Sequence, residues 1–181
     1  MNNIVNYTTF ETSMLLKQLG FNMLSDKSYQ KVFYKDTLSY NNENLEYLTN
    51  DEILTANQVD YVDKSVNGVV YKIEICDDDN ITNTHIKYLQ DLRGDKNLIY
   101  CTANVFANVI DWLWDIYAIY PEISLYKDMK SNEIVWSFTI YELENNNIVK
   151  QDWVYGFIHR YEALDAAIDK ICRRLLKMKE K

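Results

Sequence analysis

The stretch I-V-W-S-F-T-I (residues 134–140), followed after a polar turn at 144–147 by D-W-V-Y-G-F (residues 152–157), decides the fold. Ile134, Trp136, Phe138 and Ile140 fall at every second position, which on a pleated strand puts them on one face. Trp153, Tyr155 and Phe157 repeat that period on the next strand and read as its inward face, so Trp136 and Trp153 are both expected in the core. Just upstream, Ile123 and Leu125 begin another alternating strand, with a turn at 129–132. Three strands joined by such short turns form one antiparallel sheet.

Helical periods flank these strands. Val105, Val109, Leu113 and Ile116, with Phe106, Ile110 and Tyr117 beside them, recur every three to four residues. Thr102 is a suitable N-cap for that helix, and Pro121 ends it by holding Tyr120 extended. Leu164, Ala167, Ile168, Ile171, Leu175 and Met178 trace the inner stripe of a last helix. The predicted order is therefore α-β-β-β-α, with helices 103–118 and 162–178 on one face of a sheet made by 122–158. The expected class is α+β, an antiparallel sheet with helices packed on one face. Residues 1–100 form an N-terminal α+β part, and 101–181 the α-β-β-β-α unit.

Working outward to the N-terminal part, Thr8 and Glu11 have capping-box spacing for a helix at 9–19. Gly20 supplies the left-handed residue that stops it, and Phe21 folds back on the last turn. Residues 29–34 (Y-Q-K-V-F-Y) favour a strand, whereas 36–63 is rich in Asn and acidic residues. Val69, Tyr71, Ile73 and Ile75 alternate after an Asn67-Gly68 turn, which suggests a hairpin with 59–66. Asp77, Asp78, Asp79 and Asn80 read as the end of that strand. A helix at 84–92 stopped by Gly94, and a strand at 98–101, follow.

The 181 residues carry 19 basic and 27 acidic groups, a net charge of −8 that repels polyanions and acidic membrane surfaces. The balance is −6 over 1–100, −4 over 101–150 and +2 over 151–181, so only the end of the chain is locally basic. No apolar run approaches the roughly 18 residues that span a bilayer, and the start of the chain has no leader-like segment. With its three cysteines (Cys76, Cys101, Cys172) read as reduced and buried, the chain is expected in a cytosol. The 19 Asn, 15 Tyr and 17 Ile are all encoded by AT-rich codons, so an AT-rich genome would produce their abundance without any functional demand, and the Tyr count by itself does not mark a binding surface.

Three runs carry a resemblance: L-L-K-Q-L-G-F (15–21), I-D-W-L-W-D-I-Y-A-I-Y (110–120) and Y-E-A-L-D-A-A-I (161–168). Together with the Trp-bearing strands, they resemble a set of small uncharacterised proteins from phages and prophages of Bacteroidetes. In that set a W-L-(R)-E-K-Y-type helix precedes a strand pair, a Y-x-E-A-type helix closes the chain, and an L-K-x-L-G-F segment often opens it. The likeness covers residues 1–21 and about 100–178. Asp115 stands at the usually basic position, and Arg160-Tyr161-Glu162 only approximates the closing motif. The resemblance implies a phage or mobile-element source and the host cytoplasm as the setting. It carries no activity, cofactor or catalytic residue.

The side chains offer little catalytic signal. His85 and His159 have no partner at ligand spacing, and a zinc site would require Cys76, Cys101, His85 and His159 to converge from a distance. The Asp77–Asp79 run lacks the alternation, central Gly and distal Glu of a calcium loop. No nucleophile motif is present. The expectation is no metal, no cofactor and no catalytic residue.

Aromatic residues are the stronger signal. Trp112 and Trp114 point about 200° apart on one helix and cannot both face the same core. Trp112, Trp114, Tyr117 and Tyr120 are accordingly the candidate interaction surface. The alternative face is basic, with Lys170, Arg173, Arg174 and Lys177 on the last helix. Its order matches that of double-stranded RNA-binding domains, but the N-terminal end of the helix (Tyr161, Glu162, Asp165) is acidic. The expected function is thus a non-catalytic accessory protein that binds a host or phage protein, with a homo-oligomer also allowed and a membrane excluded. The alternatives are nucleic-acid binding by the last helix, or an acidic mimic of DNA built on the acids between Asp51 and Asp95.

Overall fold

A computed structural model describes residues 7–36, 45–47, 69–93 and 99–180. In chain order these form α1 (Phe10–Leu19), β1 (Ser25–Asp36), β2 (Leu45–Tyr47), β3 (Val69–Ile81), α2 (Asn83–Arg93) and β4 (Ile99–Thr102). The remaining elements are α3 (Phe106–Tyr117), β5 (Ile119–Lys127), β6 (Ile134–Glu144), β7 (Asn147–Phe157) and α4 (Arg160–Lys179). The fold is α+β, and its C-terminal part has the order α3-β5-β6-β7-α4.

β6 is the middle strand of an antiparallel β5-β6-β7 sheet. Phe138 and Ile140 point from it into the core together with Ile119 of β5. Leu164, Ala167, Ile168, Ile171, Cys172 and Leu175 of α4 meet them, as do Val109 and Leu113 of α3. Each large apolar side chain fully buried in this way contributes about 1.5–3 kcal/mol relative to exposure. The turns are built for their positions. Asn145 and Asn146 both have positive φ, as a two-residue hairpin requires, and Asn132 has φ 59° in the β5–β6 turn. Pro121 lies in β5, which among the described strands pairs only with β6 and so tolerates the missing N–H.

Trp153 corrects the sequence reading. It is 40% exposed, and Tyr155 is similar, while Trp136 is half-buried. Register explains the difference. Phe157 pairs with Trp136 but Tyr155 with Ser137, so Gly156, at φ 107°, is an extra residue bulged out of β7. The bulge puts Phe157 on the core side against Phe138, with ring centres 5.8 Å apart. Trp153 and Tyr155 are left on the face away from the helices.

α1 joins the same core through Leu16 and Leu19, with Phe21 just past its end, by packing on α4, so the core spans position 100. Its N-cap is Thr9 and not Thr8, and the carboxylate of Asp165 on α4, not Glu11, completes the cap. Asp165 accepts from the Thr9 N–H and hydroxyl at 2.8 Å each and from the Thr12 hydroxyl at 3.0 Å. Thr8 is instead buried, its hydroxyl 2.6 Å from that of Ser13. At the other end Gly20 is left-handed and the Phe21 N–H donates to the Leu16 carbonyl, as expected of this stop.

A second sheet is organised by β1, which pairs antiparallel with β3 on one edge and with β2 and β4. Two expectations change here. β3 continues through the acidic run to Ile81 instead of ending at it, because β1 supplies partners for Asp77: Lys27 lies opposite and forms an ion pair with it. The described partner of β3 is β1, and the proposed hairpin strand at 59–66 lies outside the described residues, as does Gly94. Thr102 belongs to β4, with its hydroxyl donated to Asn104, so α3 starts from Val105 without a side-chain cap.

Candidate functional site

α3 turns into β5 at Ala118, whose left-handed φ of 54° reverses the chain in a single residue. Within α3, a spacing of two residues sends the two tryptophans to different environments. Trp112 packs edge-on against Phe21 and Tyr117, with ring centres 5.2 and 5.3 Å away, and belongs to the border of the core. Trp114 and Tyr120 are each 45% exposed. Of the four aromatic candidates the structure thus brings together Trp114 and Tyr120, and places Trp112 and Tyr117 elsewhere.

Trp114 and Tyr120 line an open cleft of about 770 Å³ between α3 and the β6–β7 hairpin. Its apolar wall is completed by Ile110, Leu143 and Ile148, the last two both exposed. The Leu143 N–H donates to the Ala118 carbonyl at 3.0 Å, which pins the hairpin beside the end of the helix. Tyr120 and Tyr141 are direct cross-strand partners, and two positions along β5 lies Glu122. The Tyr141 hydroxyl bonds to the Glu122 carboxylate, and this bond is the main reason its phenol is held above the ordinary value.

The remaining lining groups are acidic: Asp111, Asp115, Glu122 and Glu142. Glu142 forms an ion pair with Arg174. Asp111 and Asp115 have no ion-pair partner among the described residues. They stand four apart on α3, where like charges cost roughly 0.2–0.5 kcal/mol. Asp115 is also in the last turn, the end of a helix that favours cations. Local helix physics opposes both placements.

The basic alternative is arranged differently. Lys170 pairs with Asp152 at 2.9 Å, Arg173 makes a two-pronged contact with Asp169 at 2.7 and 2.9 Å, and Arg174 reaches Glu142. Three of the four candidate cations are thus directed at carboxylates of the same chain. Lys177 lies with them along a smaller groove of about 560 Å³ between α4 and β7. The acids at 51–68 proposed for DNA mimicry lie outside the described residues.

No group of three or more His, Cys, Asp and Glu side chains gathers at metal-ligand distances among the described residues. Cys101 and Cys172 are buried, and burial pushes both thiols up to about 12. Cys76 is only half-buried, contrary to expectation.

Sequence reading missed Tyr141, Leu143 and Ile148 as site residues, although the alternation on β6 already places Tyr141 and Leu143 on the same face. It also missed an aromatic group on that face, Tyr126, Trp153 and Tyr155, with centres 4.7–5.1 Å apart. Comparison with protein-family models, curated proteins and solved structures finds no match. No described helix is long and apolar enough to cross a membrane.

Proposed function

We propose that this chain is a non-catalytic binding protein that docks a protein partner in the cleft between α3 and the β6–β7 hairpin. The observation that carries the reading is the convergence of exposed Trp114, Tyr120, Leu143 and Ile148 on one cleft. Exposed aromatic and aliphatic side chains gathered in a concavity supply the anchoring part of an interface, since a few buried aromatic contacts carry most of its energy. The resemblance to phage and prophage proteins supplies the setting, an accessory protein of a phage or mobile element acting on a host or phage protein in the host cytoplasm.

Affinity capture from a bacterial host lysate, with nuclease and salt controls, tests this. A protein retained after nuclease treatment and lost with Trp114→Ala/Tyr120→Ala supports the reading, provided the variant keeps its circular dichroism spectrum. Recovery of nucleic acid alone, released by salt, overturns it in favour of the last helix.

A further inference from the structure

We infer that the cleft takes a cationic amphipathic segment of its partner: an apolar side chain inserted between Trp114 and Tyr120, flanked by Arg or Lys that meet Asp111 and Asp115. The inference rests on the docking reading above and names the chemistry of the occupant. Its basis is charge complementarity. Among the described residues four carboxylates line the cleft and no Lys, Arg or His does. Glu142 is already matched by Arg174, and Glu122 accepts the Tyr141 hydroxyl, so both have a partner within the chain. Asp111 and Asp115 are the two left for a ligand.

Their placement strengthens the argument. Both side chains are exposed, one helical turn apart, on the same side of α3 as Trp114. Each is unfavourable for the isolated helix, by mutual repulsion and, for Asp115, by the helix dipole. A cation laid along this turn relieves both effects. An acidic or phosphorylated segment meets repulsion from them and from the net charge of −8. An uncharged apolar segment fills the wall but leaves the carboxylates partly desolvated without partners.

A phage-displayed library of random dodecapeptides panned against the full chain at about 150 mM salt, where weak surface steering is screened, reads the preference directly. The expected outcome is enrichment of peptides with Arg or Lys on both sides of an aromatic or aliphatic residue. A synthetic copy of the most enriched peptide then loses roughly tenfold in affinity on Asp111→Asn/Asp115→Asn, and about 30-fold on Trp114→Ala, the scale of a binding hot spot. Asp128→Asn/Glu133→Asn, which makes the same change in net charge on the β5–β6 turn, leaves affinity within a factor of two. Peptides lost with Trp114→Ala but indifferent to the two Asp→Asn changes overturn this inference and keep the docking site. Peptides indifferent to all the cleft changes, or no enrichment, overturn both. A dimer in sedimentation that Trp114→Ala dissociates makes the cleft a contact between copies and overturns the cationic segment.

Discussion

Asp165 shows how one carboxylate ties the ends of the chain together. It is a residue of the last helix, yet it accepts the hydrogen bonds that begin the first. Burial raises its pKa, outweighing the bonds from Thr9 and Thr12 that favour the charged form. The sign follows from linkage: the folded state holds this proton more tightly than the unfolded chain, whose Asp titrates near 3.9. The contribution of the group to stability is therefore greatest below that pH, falls as pH rises through the folded value, and is level above it. Urea unfolding of the wild type and of Asp165→Asn between about pH 4 and 7 should show the wild type gaining on the variant as pH falls. A difference that is flat with pH, or that grows toward pH 7, would contradict the raised pKa.

At the scale of the element, β7 depends on one glycine. Gly156 has φ 107° at the bulge that turns Phe157 inward and leaves Tyr155 outside. No atom lies near enough to obstruct a Cβ there, so the penalty for another residue comes from the backbone and not from crowding. Gly156→Ala should cost about 1–3 kcal/mol in urea unfolding, with a larger loss for the β-branched Gly156→Val. Equal stability of Gly156→Ala and wild type would show that the strand does not need this conformation. The Asn145-Asn146 turn differs in that its side chains already suit positive φ, and a residue of that type can be recognised in advance.

For the whole molecule, the question is whether the two sheets unfold together. Phe21, at the end of α1, is 2% exposed, packs on Trp112, and accepts a hydrogen bond from Asn83 of α2 through its carbonyl. It therefore touches the C-terminal core and the helix between β3 and β4 at once. All four tryptophans lie within 101–181, so their fluorescence follows that part while far-UV circular dichroism follows the whole. Coincident urea transitions by the two probes are expected. Phe21→Ala should lower both together by about 3–5 kcal/mol, the usual cost of deleting a buried Phe. Two separated transitions would establish that the β1-centred sheet unfolds on its own.

Much of this architecture was already present in the order of residues. Period-two and period-3.6 patterns and the Asn turns specify α3, β5, β6, β7 and α4, and Gly20 the stop of α1, because each depends on neighbours a few positions away. The same local geometry shows that Trp112 and Trp114 must diverge. It does not show which one faces out, since that depended on Phe21 arriving from α1 to cover Trp112. Nor could spacing reveal that Asp165 caps α1 across 156 residues, that β1 pairs with β3 past its acidic run, or that a bulge turns Phe157 inward and leaves Tyr155 outside. The basic character of the last helix was legible, but the carboxylates that meet it come from β6, from β7 and from its own preceding turn. Sequence alone determined the C-terminal elements and the identity of the aromatic candidates, because those follow from short-range periodicity. Only the tertiary structure decided which aromatics share a cleft with which charges, because pairing register and long-range packing bring those groups together.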